Sequence, residues 1–106
     1  MEIEINDNNL EMEVMNSSVP VLVDIYSDSC APCKMLYNIL SELSNEYSDK
    51  MKFCKANMFN NSSLISKFAI SSVPTILFFK NGTMVEKKIG LNTKDSLIKD
   101  IEKVLR

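Results

Sequence analysis

Residues 19–35 read VPVLVDIYSDSCAPCKM, and the fold turns on how that stretch changes character along its length. Its first part, 19–27, is a short apolar run rich in β-branched residues, the pattern of a strand covered on both faces. Its second part opens a helix. From Pro32 onward Leu36, Ile39, Leu40, Leu43 and Tyr47 recur at i, i+3, i+4, i+7 and i+11 and mark one helical face. Cys30-Ala31-Pro32-Cys33 stands at the junction.

Working outward, the same alternation of periods continues. Residues 51–57 read as a second strand, and 63–68 as a short helix with Leu64, Ile65 and Phe68 on one side. The run TILFF at 75–79 is another covered strand, joined through Asn81-Gly82 to a strand over 84–89; Asn-Gly between two such runs is the strongest short hairpin signal. Gly90 breaks that strand, and Thr93 can cap a last helix carrying Leu97, Ile98, Ile101, Val104 and Leu105. Ahead of the opening stretch, Ile3 and Ile5 suggest a short strand and 10–15 a helical turn or two. Strands separated by helices call for parallel crossovers, while the hairpin adds antiparallel strands. The class is α/β: a central mixed sheet with helices on both faces.

A chain of 106 residues is expected to form a single domain over 1–106, long enough to bury a core without metal or disulfide staples. Twelve Lys plus Arg against fourteen Asp plus Glu give a net charge of -2, which offers no footprint for nucleic acid or an anionic membrane. No stretch approaches the roughly 20 apolar residues of a membrane span. Met1-Glu2-Ile3-Glu4 is acidic where a signal peptide has a basic segment, so a cytoplasmic location is expected. The three cysteines, Cys30, Cys33 and Cys54, are too few and odd in number for a secreted disulfide framework.

Chance alone gives three cysteines a C-x-x-C spacing roughly one time in twenty, so position decides more than spacing. Ligands of open α/β sheets collect at the carboxyl ends of strands. A helix start also brings unpaired N–H groups and the positive end of the dipole to Cys30, and thiolate is the reactive form of cysteine. Pro32 suits a first helical turn, where its missing N–H has no intrahelical partner. Lowering a thiol pKa from about 8.5 to about 7 raises the thiolate fraction roughly sixteen-fold. The accompanying loss of nucleophilicity returns a factor of about five, leaving about three. Proximity is the larger effect, since an intramolecular thiol can act at an effective molarity of about 10⁵ M. The competing readings are a zinc site, which wants four ligands where this chain has three cysteines and no histidine, and inert core thiols.

Asp24 lies inside the covered strand and should be desolvated, which raises a carboxyl pKa. Such an acid behind the cysteines could accept the proton of Cys33; the bland alternative is an edge position facing water. Lys55, in FCKAN, could pair with Asp24 and modulate it, or be simply solvated. Pro74 stands at a strand's first position, an ordinary placement. Cys54 is expected to point into the core as a small hydrophobe.

Taken together, VDIYSDSCAPCKM, KANMF, SSVPTILFFKNG and KKIG, in that order and spacing, resemble the thioredoxin family over about 19–105. The resemblance implies a five-stranded mixed sheet flanked by four helices, and a monomeric protein disulfide reductase cycling between dithiol and disulfide. It implies Cys30 as exposed nucleophile, Cys33 as buried resolving thiol, Asp24 as buried proton acceptor and Lys55 as the lysine near it. It also implies Ala31, Pro32, Val73, a cis Pro74 and Gly90 as the surface for client chains, with Val73 offering backbone groups to an extended segment. Gly82 matches the hairpin glycine. The implied partners are thioredoxin reductase, an NADPH-dependent flavoprotein, and client proteins with disulfides; no metal and no cofactor of the chain's own is expected.

The chain departs from the family pattern at several positions. Ala31 replaces a glycine, Ser29 and Tyr26 stand where tryptophans are usual, Asn38 replaces a helix-kinking proline and Phe59 an aspartate. An oxidase or isomerase is the alternative activity, and a non-catalytic interaction subunit on the same scaffold the alternative class.

Overall fold

The computed structural model describes residues 2–106. Five strands form one sheet: β1 (Ile3–Ile5), β2 (Val21–Tyr26), β3 (Lys52–Asn57), β4 (Thr75–Lys80) and β5 (Thr83–Ile89), in spatial order β1-β3-β2-β4-β5. β1, β2 and β3 run parallel, and β4 and β5 return antiparallel. The α-helices are α1 (Ala31–Tyr47), α2 (Ser62–Lys67) and α3 (Lys94–Leu105). The fourth helix is a short wide turn, Glu11–Met15, where the Asn16 N–H reaches back to the Glu11 carbonyl at 2.9 Å, an i→i+5 bond. The expected mixed sheet flanked by four helices is present, each element within about two residues of its reading from periodicity.

β2 is central because both its faces are apolar. Val21, Val23 and Ile25 point to one side, where they meet Cys54, Leu77 and Phe79 beneath Val14 and Leu64. Leu22 points to the other side with Phe53, Ile76 and Phe78, against Leu36, Leu40 and Leu43 of α1 and Leu97, Ile101 and Val104 of α3. Fully burying each such side chain contributes about 1.5–3 kcal/mol, and an edge position would leave part of that surface open to water. The face toward α1 also carries Asp24, in the place an apolar residue would take by period two.

The hairpin forms at Asn81-Gly82, with φ of +54° and +76°. Both central residues are left-handed, as a type I′ turn requires. A Cβ at Gly82 would lie 2.7 Å from the Met15 carbonyl oxygen, so the turn also packs tightly on the Glu11–Met15 segment. Thr93 caps α3, its hydroxyl accepting the Ser96 N–H at 3.1 Å.

One end of the sheet collects the sequence features left over. β2 and β3 both finish there, with Tyr26 opposite Asn57. β4 begins there, with Thr75 opposite Ile25, and β5 finishes there, with Ile89 opposite Thr75. The segments carrying Cys30, Phe59, Val73-Pro74 and Gly90 therefore leave or enter the sheet at the same end.

Candidate active site

After β2 the chain turns over Ser27 to Cys30, and Cys30 becomes the N-cap of α1. Its sulfur accepts the Cys33 N–H at 3.2 Å, and its carbonyl accepts the Lys34 N–H at 3.3 Å. Pro32 falls within the first turn, where no N–H is missed. Cys30 and Cys33 are joined as a disulfide, with Cα atoms 5.2 Å apart. When that bond is reduced, a thiolate at Cys30 has this N–H and the positive end of a 17-residue helix beside it.

Exposure corrects one expectation. The resemblance implied an exposed Cys30 and a buried Cys33, yet Cys30 is 8% exposed and Cys33 5%. Exposure does not separate them; position on the helix does. Ala31 and Pro32, between them, are exposed.

Cys33 forms part of the wall of an open cleft of about 240 Å³ that also touches Asp24, Tyr37 and Lys55. Asp24 is 3% exposed, which excludes the edge reading, and its Oδ1 has no hydrogen-bond partner. Burial pushes its carboxyl up from 3.8 to about 7, and the neighbouring Glu2 charge adds to the rise; Lys55 works in the opposite direction, and Glu4 again raises it. An acid of this kind can hold or release a proton near neutral pH.

Lys55 lies directly across from Asp24 in the β2–β3 register, as a partner would. The ammonium nevertheless goes elsewhere. It sits 3.8 Å from Glu4, which faces Lys55 from β1, and 6.0 Å from the centre of the Tyr37 ring. Of the two readings, a pair with Asp24 or a solvated lysine, neither is what forms: Lys55 pairs with Glu4, while its charge still reaches Asp24 through space. The Tyr26 hydroxyl donates to the Glu4 carboxylate, lying 3.1 and 3.0 Å from its two oxygens. Glu2, one pleat earlier, has a buried Oε2 without a partner, and burial raises its pKa.

Sequence reasoning missed both glutamates. Their signal was the alternation Glu2-Ile3-Glu4-Ile5, which places the two acids on one face of β1 and the isoleucines on the other. Only the pairing of β1 with β3 reveals that this face is Asp24's.

The Val73–Pro74 peptide is cis. Pro74 is buried and its carbonyl accepts the Gly90 N–H at 2.9 Å, so these two expected client-binding residues are tied together; Val73 is half-buried against the core. Gly90 has a φ of +87°, a left-handed conformation that favours glycine although open space surrounds it. Cys54 stands apart: it is fully buried among Ile5, Val23 and Leu77, and burial pushes its thiol up to about 12. Among the described residues no cluster of three or more acidic, Cys or His side chains could hold a metal, and no helix is long and apolar enough to cross a membrane.

A family model described as Thioredoxin matches residues 2–103. The thioredoxin of Rickettsia prowazekii (strain Madrid E) is 43% identical over 99 residues, covering 93% of this chain and 94% of that protein. The thioredoxin of Rickettsia bellii (strain RML369-C) is 42% identical over 98 residues, 92% of this chain and 93% of that one. Thioredoxin 1 of Synechococcus elongatus is 37% identical over 101 residues, 95% and 94% of the two chains.

Proposed function

The chain belongs to the thioredoxin family, and on that premise we propose how its residues divide the work of a protein disulfide reductase. The activity is thiol–disulfide exchange at the Cys30–Cys33 pair. In the reduced protein the Cys30 thiolate attacks one sulfur of a client disulfide, forming a mixed disulfide and expelling the other client sulfur as a thiolate. Cys33 then loses its proton to Asp24 and attacks the Cys30 sulfur. The mixed disulfide breaks, the Cys30–Cys33 bond closes, and the second client sulfur leaves. Two electrons have passed to the client, and the chain is left as the disulfide described above.

The observation that carries this division is the Cys30 sulfur accepting the Cys33 N–H at the start of α1. That N–H and the helix start favour a thiolate at Cys30, whereas Cys33 is the one that touches the cleft of Asp24. The surface offered to clients is Ala31 and Pro32 with Val73, Pro74 and Gly90. Support for it comes from their meeting at one sheet end and from the bond between Gly90 and Pro74. The electrons are returned by an NADPH-dependent flavoprotein reductase. The cytoplasm is the proposed place of work, in keeping with three cysteines of which only one pair is bonded.

Trapping tests the roles. Cys33→Ser is expected to accumulate mixed disulfides with client proteins through Cys30, visible on non-reducing gels, and Cys30→Ser to capture none. Equal capture by both variants would overturn the assignment.

A further inference from the structure

Three acids and one lysine lie on the α1 face at the β1 side of the sheet, and the lysine's choice among them is the unexplained feature. We propose that Glu4 is a positioning residue: braced by Tyr26, it draws the Lys55 ammonium toward β1 and away from Asp24, and so keeps Asp24 basic enough to take the Cys33 proton. The consequence for Cys33 rests on the reading of Asp24 as proton acceptor; the placement of Lys55 does not.

The register shows that the choice is real. Glu4, Lys55 and Asp24 form one row across β1, β3 and β2, with strands about 5 Å apart, so Lys55 has a carboxylate on either side. It takes the one at Glu4, 3.8 Å away. Asp24 Oδ1 and Glu2 Oε2, both buried, are left without a hydrogen-bond partner, and the Lys55 charge reaches both carboxyls only through space. Glu4 has a second anchor that Asp24 lacks, because the Tyr26 hydroxyl lies about equally far from both its oxygens. The pair is partly exposed, so its net contribution to stability is small. Its effect is on where a charge sits.

That position matters because a cation directly on a carboxylate lowers its proton affinity by about 1–3 pH units. Paired with Lys55, Asp24 would be a poor acceptor for a thiol proton at neutral pH. Of the other groups around Asp24, Glu2 and Glu4 come from the β1 side, Asp28 follows β2, and α1 contributes Cys33, Tyr37 and Lys34 to the cleft; Lys55 is the cation whose charge lowers the Asp24 carboxyl. On the far side β4 offers Ile76, and the Lys88 beyond it on β5 is held 3.6 Å from Asp100.

The test follows the Asp24 carboxyl carbon by NMR across pH in the oxidised full chain, for the parent, Glu4→Gln, Lys55→Met and the double variant. Glu4→Gln is expected to lower the Asp24 midpoint by about one pH unit, a tenfold loss of proton affinity, as Lys55 swings across. In the Lys55→Met background the same substitution is expected to move it much less, by the direct field of Glu4 alone. Tyr26→Phe, which removes only the brace, should shift it the same way by a smaller amount. An unmoved midpoint in Glu4→Gln, or an equal shift with and without Lys55, would refute the proposal. Single-turnover rates of mixed-disulfide resolution, measured over the same pH range, address Asp24 separately. If the midpoint moves and the rate profile does not, the proton-acceptor reading fails while the placement of Lys55 stands.

Discussion

Replacing Asp24 by asparagine is expected to stabilise the oxidised protein, and to do so only above acid pH. The carboxyl titrates near 3.8 when solvated and near 7 in the fold. Below 3.8 it is protonated in both folded and unfolded chains, and burial of the ionised form costs nothing. Between the two values the folded chain holds a proton that the unfolded chain has released, so stability falls as pH rises. Above about 7 the loss is complete. About three pH units at 1.4 kcal/mol each give a loss on the order of 4 kcal/mol, an upper figure because relaxation and water in the cleft soften it. Asparagine fills nearly the same volume and never ionises. Its advantage over Asp24 should be near zero at pH 3.5 and about 2–4 kcal/mol at pH 8. For urea slopes of about 1–3 kcal/mol per molar, that gain moves the midpoint by about 0.7–4 M. Urea unfolding of both proteins at the two pH values, with the disulfide intact, is the assay. A gain that is the same at pH 3.5 and pH 8 would mean that Asp24 ionises as easily inside as outside, and the reasoning about its desolvation would be wrong.

Cys54→Ser is expected to cost about 1–3 kcal/mol by placing a hydroxyl among Ile5, Val23 and Leu77, with no change in the rate of insulin reduction. In the native reduced protein Cys54 should resist iodoacetamide under conditions that alkylate Cys30, as mass spectrometry of the digested chain would show; prompt labelling would contradict its burial. Gly82→Ala should cost about 1–3 kcal/mol, because the turn needs a φ of +76° and the new methyl would meet the Met15 carbonyl. Chemical unfolding measures that loss, and an unchanged midpoint would show that the turn relaxes freely.

Most of the fold was legible because local signals agreed. The run around Val23 carries apolar residues on both faces, and a strand in the middle of the sheet is the one best covered on both. Asn81-Gly82 fixed the hairpin through a backbone requirement few other pairs meet. The junction of strand and helix at Cys30 was equally readable, since the motif sits where the period changes from two to 3.6. What could not be read depends on pairing between distant segments. From its own strand Lys55 reads as a partner for Asp24, its neighbour on β2, or as a solvated lysine. The competing acid lies 51 residues earlier, and it faces Lys55 only because β1 adds to the outer edge of β3. The cover over Cys30, 8% exposed, was likewise beyond reach, because the exposure of a single side chain depends on segments distant in sequence. The Glu11–Met15 segment was recognised as helical, but its wider winding had no sequence mark.

The walls of the cleft beneath Cys33 include Tyr26 and Tyr37, two of the chain's three tyrosines, and the chain has no tryptophan. Ultraviolet emission therefore comes from tyrosine alone, with no indole to absorb its energy. The third ring, Tyr47, hydrogen-bonds Glu102 at the far end of α1. The molecule thus carries a native optical probe with two of its three rings on the open cleft that Cys33 and Asp24 share, readable in the unlabelled protein as its sulfurs open and close.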